Sequence, residues 1–215
     1  MSGQDLSAST GIPSAQITGV VLAGGRGMRM GGLDKGLQLF EGVPLAQHAL
    51  QRLQPQVGQT LLNANRHLDQ YRAFGAPVWP DETTDYAGPL AGFIAALRHC
   101  DTSYLVTVPC DAPLFPADLV QGLAHALVSE GCEIAMASAP EEGNDGRIVP
   151  RPQPVFCLLR VDLLASLERY VAEGGRKAGT WAAQHKTAIV TFDAPAEFAN
   201  INTLAELKAL QPPYR

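Results

Sequence analysis

The chain has 215 residues, a formal net charge of −5, and 46% hydrophobic against 17% charged residues. That length fits one domain with a substantial buried core, and the composition excludes a disordered acidic chain and a coiled coil. The acidic balance argues against a general nucleic-acid binder, and no stretch of about 18 apolar residues offers a membrane span.

In chain order, residues 1–16 are small and polar and read as a flexible tail, neither signal peptide nor anchor. Residues 17–215 read as one α/β domain. Ile17–Leu22 is a β-rich run that meets glycines at once. Pro44–Leu53 carries helical spacing through Leu45, Ala49, Leu50 and Leu53. Thr60–Asn63 and Val78–Trp79 read as strands, Leu90–His99 as a helix and Tyr104–Val108 as a buried strand. Pro116–Ser129 reads as a helix closed by Gly131, with strand Ile134–Ala137 behind it. Ser138–Pro152, rich in Gly, Pro and charge, reads as a loop. Val155–Leu159 follows as a strand, Val161–Ala172 and Arg176–His185 as helices, Ala188–Phe192 as a strand and Thr203–Leu210 as the last helix. Strands apolar on both faces and separated by helices predict a mostly parallel sheet covered on both sides. The expected fold is therefore a Rossmann-like three-layer α/β/α domain. Residues 17–137 would form its nucleotide-binding half and 138–215 its acceptor-binding half. Cys100, Cys110, Cys132 and Cys157 are widely spaced, lie in or beside apolar runs and read as free thiols. A reducing cytoplasm is the expected compartment.

The stretch Val20–Gly36, VVLAGGRGMRMGGLDKG, carries most of the chemistry. A strand runs into Gly24, Gly25 and Gly27, with Gly31 and Gly32 beyond. Glycines let backbone N–H groups approach an anion closely. Arg26, Arg29 and Lys35 against Asp34 give this segment +2 in a chain of −5, the local reversal a polyphosphate needs. It is not a Walker A loop, because Lys35 is followed by Gly36. Nor is it a dinucleotide fingerprint, because Gly25-x-Gly27 is followed by Met30. Lys35 suits phosphate as a point charge and Arg29 as a fork. Asp111, just past an apolar strand, is a candidate Mg²⁺ ligand, since strand-end carboxylates face the crevice of such sheets.

Leu22-Ala23-Gly24-Gly25-x-x-x-Arg29-Met30-Gly31-Gly32-x-Asp34-Lys35 resembles the signature of sugar-nucleotide-type nucleotidyltransferases, most closely the molybdenum cofactor guanylyltransferases. Asn63-Ala64-Asn65-Arg66-His67, Asp81, Gly88–Gly92, Pro109-Cys110-Asp111 and Asn200-Ile201-Asn202-Thr203 match the same family in order. The resemblance implies transfer of GMP from GTP to the phosphate of molybdenum-molybdopterin, with pyrophosphate released and Mg²⁺ as cofactor. It also implies a molybdenum insertase and molybdoenzyme chaperones as protein partners. The alternatives are the cytidylyltransferase relative and a guanylyltransferase acting on another phosphorylated small molecule. Leu-Ala-Gly-Gly goes with the guanylyl branch and Leu-Ala-Ala-Gly with the cytidylyl branch, so Gly24 favours GTP.

By the same resemblance Lys35, Arg29 and Asp111 form the catalytic set. Leu22, Ala23, Gly24, Gly25, Lys35, Asn63, Asp81 and Asp111 form the nucleotide-binding set, with Asp81 facing either the base or the ribose. Arg151, Arg176 and Lys177 are second-half cations beside loops and candidates for the acceptor phosphate. Asn200 and Asn202 face the acceptor or the metal, or cap the last helix. The family often has His-Pro where this chain has Gln153-Pro154.

Overall fold

The computed structural model describes residues 11–25, 33–82, 88–142, 147–193 and 195–201. β1 (Ile17–Leu22) is the central strand, because both its faces are apolar. Its side chains divide between two cores: Ile17 and Val21 enter one, Val20 the other. The first core holds α1 (Leu45–Leu53), α2 (Leu68–Arg72) and α4 (Leu119–Ser129); the second holds α3 (Pro89–Arg98), α5 (Leu164–Ala172) and α6 (Ala178–Ala182). The result is the expected three layers.

Between them lies a seven-stranded sheet in the order β5 (Val78–Trp79), β4 (Gln59–Asn63), β1, β6 (Tyr104–Pro109), β8 (Ile148–Arg160), β7 (Ile134–Glu142) and β9 (Thr187–Thr191). A small hairpin, β2 (Leu39–Phe40) with β3 (Val43–Pro44), stands apart. β8 alone runs against the other strands, pairing antiparallel with both β6 and β7. From β1 the chain builds outward through β4 and β5, then returns to lay β6 on the other side of β1. The strand order therefore reverses between β1 and β6, with α1 on one face and α3 on the other. In open α/β sheets the crevice at the carboxyl ends of two such strands is where ligands sit. Here those ends are Leu22–Gly25 and Pro109–Asp111.

Within the stretch 138–152, expected as a loop, residues 138–142 and 148–152 instead pair as a β-ribbon. Ser138 pairs with Pro152, Ala139 with Arg151 and Glu142 with Ile148, after a register shift between Met136 and Ser138. β9 pairs with β7 only as far as Ser138, and β6 with β8 only as far as Cys157. Beyond those points the ribbon has two strands, so a proline on an outer edge removes no ladder bond. The segment 176–185 keeps only a short helix, Ala178–Ala182. The final helix expected at Thr203–Leu210 lies outside the described residues, as do residues 1–10 of the expected tail; Ser14–Gln16 form a 3-10 turn. Cys110, Cys132 and Cys157 are buried, Cys100 is half-buried, and all are free thiols. Burial pushes the Cys157 thiol up to about 12. Among the described residues no helix is long and apolar enough to cross a membrane.

Candidate active site

A cavity of about 570 Å³ opens over the switch point, lined by Leu22, Gly24, Gly25, Asn63, Asp81 and Asp111 from the parallel half. Because β8 is antiparallel, the residues before Cys157 reach the same end of the sheet as those after Thr107. Gln153–Phe156 thus form the opposite wall, with Asn200 at its edge. Residues from both halves of the chain meet in this one cavity.

One side of it is a network of amides and a carboxylate. Asn63, at the carboxyl end of β4, is buried, and its backbone carbonyl accepts from Ala23 N at 2.8 Å. Its Nδ2 donates to Trp79 O at 3.1 Å and to Asp81 Oδ1 at 2.9 Å. Asn65 Nδ2 donates to Asp81 Oδ2 at 2.7 Å and to the carbonyl of Gly24 at 3.0 Å. The Asp81 N–H donates to Asn65 Oδ1 at 2.7 Å. Asn65 therefore ties three chain segments together. Its motif was visible in the sequence, but its role was not.

Gly24 is required by this network. A Cβ there would lie 2.8 Å from both Asn63 Oδ1 and Asn65 Nδ2. Overpacking of that kind costs about 1–3 kcal/mol, and here the cost falls on the cavity wall. Gly24→Ala is expected to raise the KM for nucleotide about tenfold, the kinetic equivalent of about 1.4 kcal/mol. Steady-state kinetics with the nucleotide varied will show it; an unchanged KM would mean that the amide network does not contact the nucleotide.

Asp111 carries an ion pair to the wall: Lys35, like Ala23 not itself a lining residue, has its Nζ 2.7 Å from Asp111 Oδ2, and the two side chains are 21% and 22% exposed. Asp111 follows β6, whose register carries Cys110 N to the carbonyl of Leu22 at 3.1 Å; the Asp111 carbonyl accepts from Ile201 N at 2.6 Å. Lys35 opens a 3-10 turn, Lys35–Leu37, capped by Asp34. Mg²⁺ takes one or two carboxylates and completes its shell with phosphate oxygens and water. Asp111 offers one partly exposed carboxylate on the cavity wall, which fits that role. Among the described residues no cluster of three or more His, Cys, Asp or Glu gathers into an all-protein cage.

The expected second-half cations are placed differently. Neither Arg151, Arg176 nor Lys177 lines the cavity. Arg176 turns back, donating from Nη1 to Val171 O at 2.8 Å and Gly175 O at 2.7 Å. A carbonyl of the last turn of α5, which also accepts from Gly174 N at 3.0 Å, and the negative dipole end of that helix hold the guanidinium there. Arg151, 55% exposed, faces Glu141 across the ribbon with 3.7 Å between Nε and Oε2. Lys177 is exposed and precedes α6. Asn200 does reach the cavity. Arg29 and Asn202, with Arg26, lie outside the described residues.

Comparison with known proteins agrees with this geometry. Residues 19–188 match the family described as MobA-like NTP transferase domain. A protein of Albidiferax ferrireducens named molybdenum cofactor guanylyltransferase is 60% identical over 206 residues, covering 93% of this chain and 98% of its own. One of the same name from Bordetella pertussis is 56% identical over 200 residues, with coverages of 93% and 99%. The solved molybdopterin-guanine dinucleotide biosynthesis protein A of Archaeoglobus fulgidus superposes with a TM-score of 0.69 at 23% identity, over 89% of this chain and 95% of that one. The 4-diphosphocytidyl-2C-methyl-D-erythritol synthase of Anaerococcus prevotii shares the fold at a TM-score of 0.68 and 13% identity, over 90% and 95%. The chain thus belongs to the molybdenum cofactor guanylyltransferases, within the MobA-like NTP transferase family.

Proposed function

We propose that this chain transfers GMP from GTP to the terminal phosphate of molybdenum-molybdopterin, leaving the guanine dinucleotide form of the cofactor and pyrophosphate. An acceptor phosphate oxygen forms the new bond to the α-phosphorus. The bond from that phosphorus to the bridging oxygen of the β-phosphate breaks, and pyrophosphate leaves with the electron pair. A phosphate monoester is already anionic at neutral pH, so no general base is needed. The work is positioning and charge neutralisation. Lys35 meets the phosphates as a point charge. Leu22–Gly25 bring backbone close to them, and Arg29 is assigned to the same phosphates. When bound through Asp111, Mg²⁺ supplies further neutralisation of the triphosphate.

The observation that carries the base choice is the hydrogen-bond inventory of Asn63 and Asp81. Both hydrogens of Asn63 Nδ2 are committed to Trp79 and Asp81. What the pair has left for a ligand is acceptors: the Asn63 carbonyl oxygen and the remaining lone pairs of the Asp81 carboxylate. Guanine alone among the four bases offers adjacent N–H donors, at N1 and N2. Cytosine offers a single amino group beside two acceptors. Asp81 is thereby assigned to the base rather than the ribose.

The acceptor lies toward Gln153–Phe156 and Asn200, the wall facing the nucleotide set. Asn202 is assigned to the same side. The reaction is assigned to a reducing cytoplasm, which suits the free thiols. A molybdenum insertase would deliver the acceptor there, and molybdoenzyme chaperones would receive the product.

Pyrophosphate release with molybdenum-molybdopterin, offering each nucleoside triphosphate in turn with Mg²⁺ or with EDTA, tests the reading. GTP is expected to exceed CTP, ATP and UTP by about a hundredfold or more, the scale of a site built on matched hydrogen bonds. Comparable turnover of CTP would assign the chain to the cytidylyl alternative. Turnover of GTP with other phosphomonoesters but not this one would point to a different acceptor.

A further inference from the structure

We propose that Tyr71, on α2 and outside the cavity wall, is a positioning residue that fixes the site of Lys35 through Asp34; the proposal rests on the reading of Lys35 as a phosphate-binding cation. Tyr71 is fully buried in the first core, edge-on to Phe74 with ring centroids 5.6 Å apart. Its hydroxyl donates to Asp34 Oδ1 at 2.6 Å. The same oxygen accepts from Gly36 N at 3.2 Å, which caps the turn that Lys35 opens. The Asp34 carbonyl accepts from Gln38 Nε2 at 3.0 Å. Asp34 is only 8% exposed, so the carboxylate immediately before Lys35 is gripped from the core and from its own turn.

Gly36 completes the arrangement. A Cβ at that position would collide with the Tyr71 hydroxyl. The turn therefore packs directly on the tyrosine, with no side chain between them. Burial raises the Tyr71 pKa far above the ordinary phenol range, so the hydroxyl remains a donor at every working pH. Two features of α2 point to the same purpose. It is only five residues long, and it is entered through His67 in the left-handed conformation, at φ 50°. That sharp entry drops Tyr71 into the core only a few residues after Asn65 and Arg66 have met the carbonyls of Gly24 and Gly25. One connection thereby braces both glycine carbonyls and the Lys35 turn.

A tyrosine that merely filled the core would be replaced by phenylalanine at little catalytic cost. A positioning role predicts something else. Tyr71→Phe is expected to keep the far-UV spectrum and lower the melting temperature by a few degrees, the scale of one hydrogen bond lost from a buried carboxylate, while lowering kcat for GMP transfer about tenfold. In the Lys35→Ala background the same substitution should cause no further loss, because its route to the phosphates is already gone. Asp34→Ala breaks the link from the other end and should behave alike. Asp34→Asn keeps the Oδ1 acceptor and is expected to lose far less; this pair carries the test should Tyr71→Phe fold poorly. Wild-type turnover in Tyr71→Phe, or a loss that persists undiminished in Lys35→Ala, overturns the proposal. Lys35→Ala without a defect would overturn the phosphate role of Lys35 itself and the proposal with it, an outcome distinct from additive losses.

Discussion

Replacing Asp111 by Ala is expected to cut GMP transfer about a thousandfold or more while leaving the protein folded. The stability side follows from what the carboxylate touches. It pairs with Lys35 at 2.7 Å, both side chains partly exposed, and such pairs contribute about 1 kcal/mol or less. The contact that docks the following segment runs from Ile201 N to the Asp111 backbone carbonyl, which any residue supplies. The catalytic side follows from charge. Two polyanions, a triphosphate and a phosphate monoester, must close to bonding distance. A divalent cation on the triphosphate contributes several kcal/mol to that approach, and each 1.36 kcal/mol is a factor of ten. Losing the carboxylate proposed to hold that cation therefore reaches the thousandfold scale, and Asp111→Asn, neutral but still oxygen-bearing, should fall between. The measurement is pyrophosphate release against Mg²⁺ concentration, with circular dichroism on the same samples. Near-normal turnover with unaltered Mg²⁺ dependence in Asp111→Ala would place the metal elsewhere.

The parts of this site that could be read from sequence are those whose chemistry is local. A strand that runs into glycines announces a crevice end, and so does a carboxylate just past a buried strand. Leu22, Gly24, Gly25 and Asp111 are of that kind and line the cavity. Asn65 is not: its partners Gly24 and Asp81 are 41 and 16 residues away, and only the fold brings them together. Tyr71 escaped for a related reason. A five-residue helix has too few turns to show a period, and a tyrosine among polar residues looks like surface. Arg176 departs from its expected place in the opposite direction. An arginine beside a glycine-rich turn has the same local sequence whether it meets a phosphate or the backbone carbonyls around a helix end, and Arg176 takes the carbonyls. The ribbon of residues 138–142 and 148–152 was hidden because prolines read as breaks, although an outer edge tolerates them.

Lys35→Ala is expected to lower kcat about a hundredfold or more, with a smaller change in the KM for GTP. Lys35 Nζ lies 2.7 Å from Asp111 Oδ2. A bound triphosphate offers the ammonium a denser negative partner, and the flexible stem allows it to follow the charge. That charge grows on the departing pyrophosphate as the α-phosphorus transfers. A cation placed there thus gains most in the transition state and acts on kcat more than on binding. Loss of one such electrostatic group costs about 10²–10³ in turnover. A second effect acts in the same direction: without Lys35 the Asp111 carboxylate faces the incoming phosphates with its nearest positive partner gone. Lys35→Arg should recover only part of the rate, since a planar fork cannot occupy the space of a point charge beside Asp111. Because the two residues act as one charge pair, Lys35→Ala combined with Asp111→Ala should lose much less than the product of the single effects. Steady-state kinetics with GTP varied at saturating acceptor will separate the terms. A loss confined to KM would make Lys35 a ground-state contact, and a loss under tenfold would leave the phosphates to Arg29 and the glycine backbone.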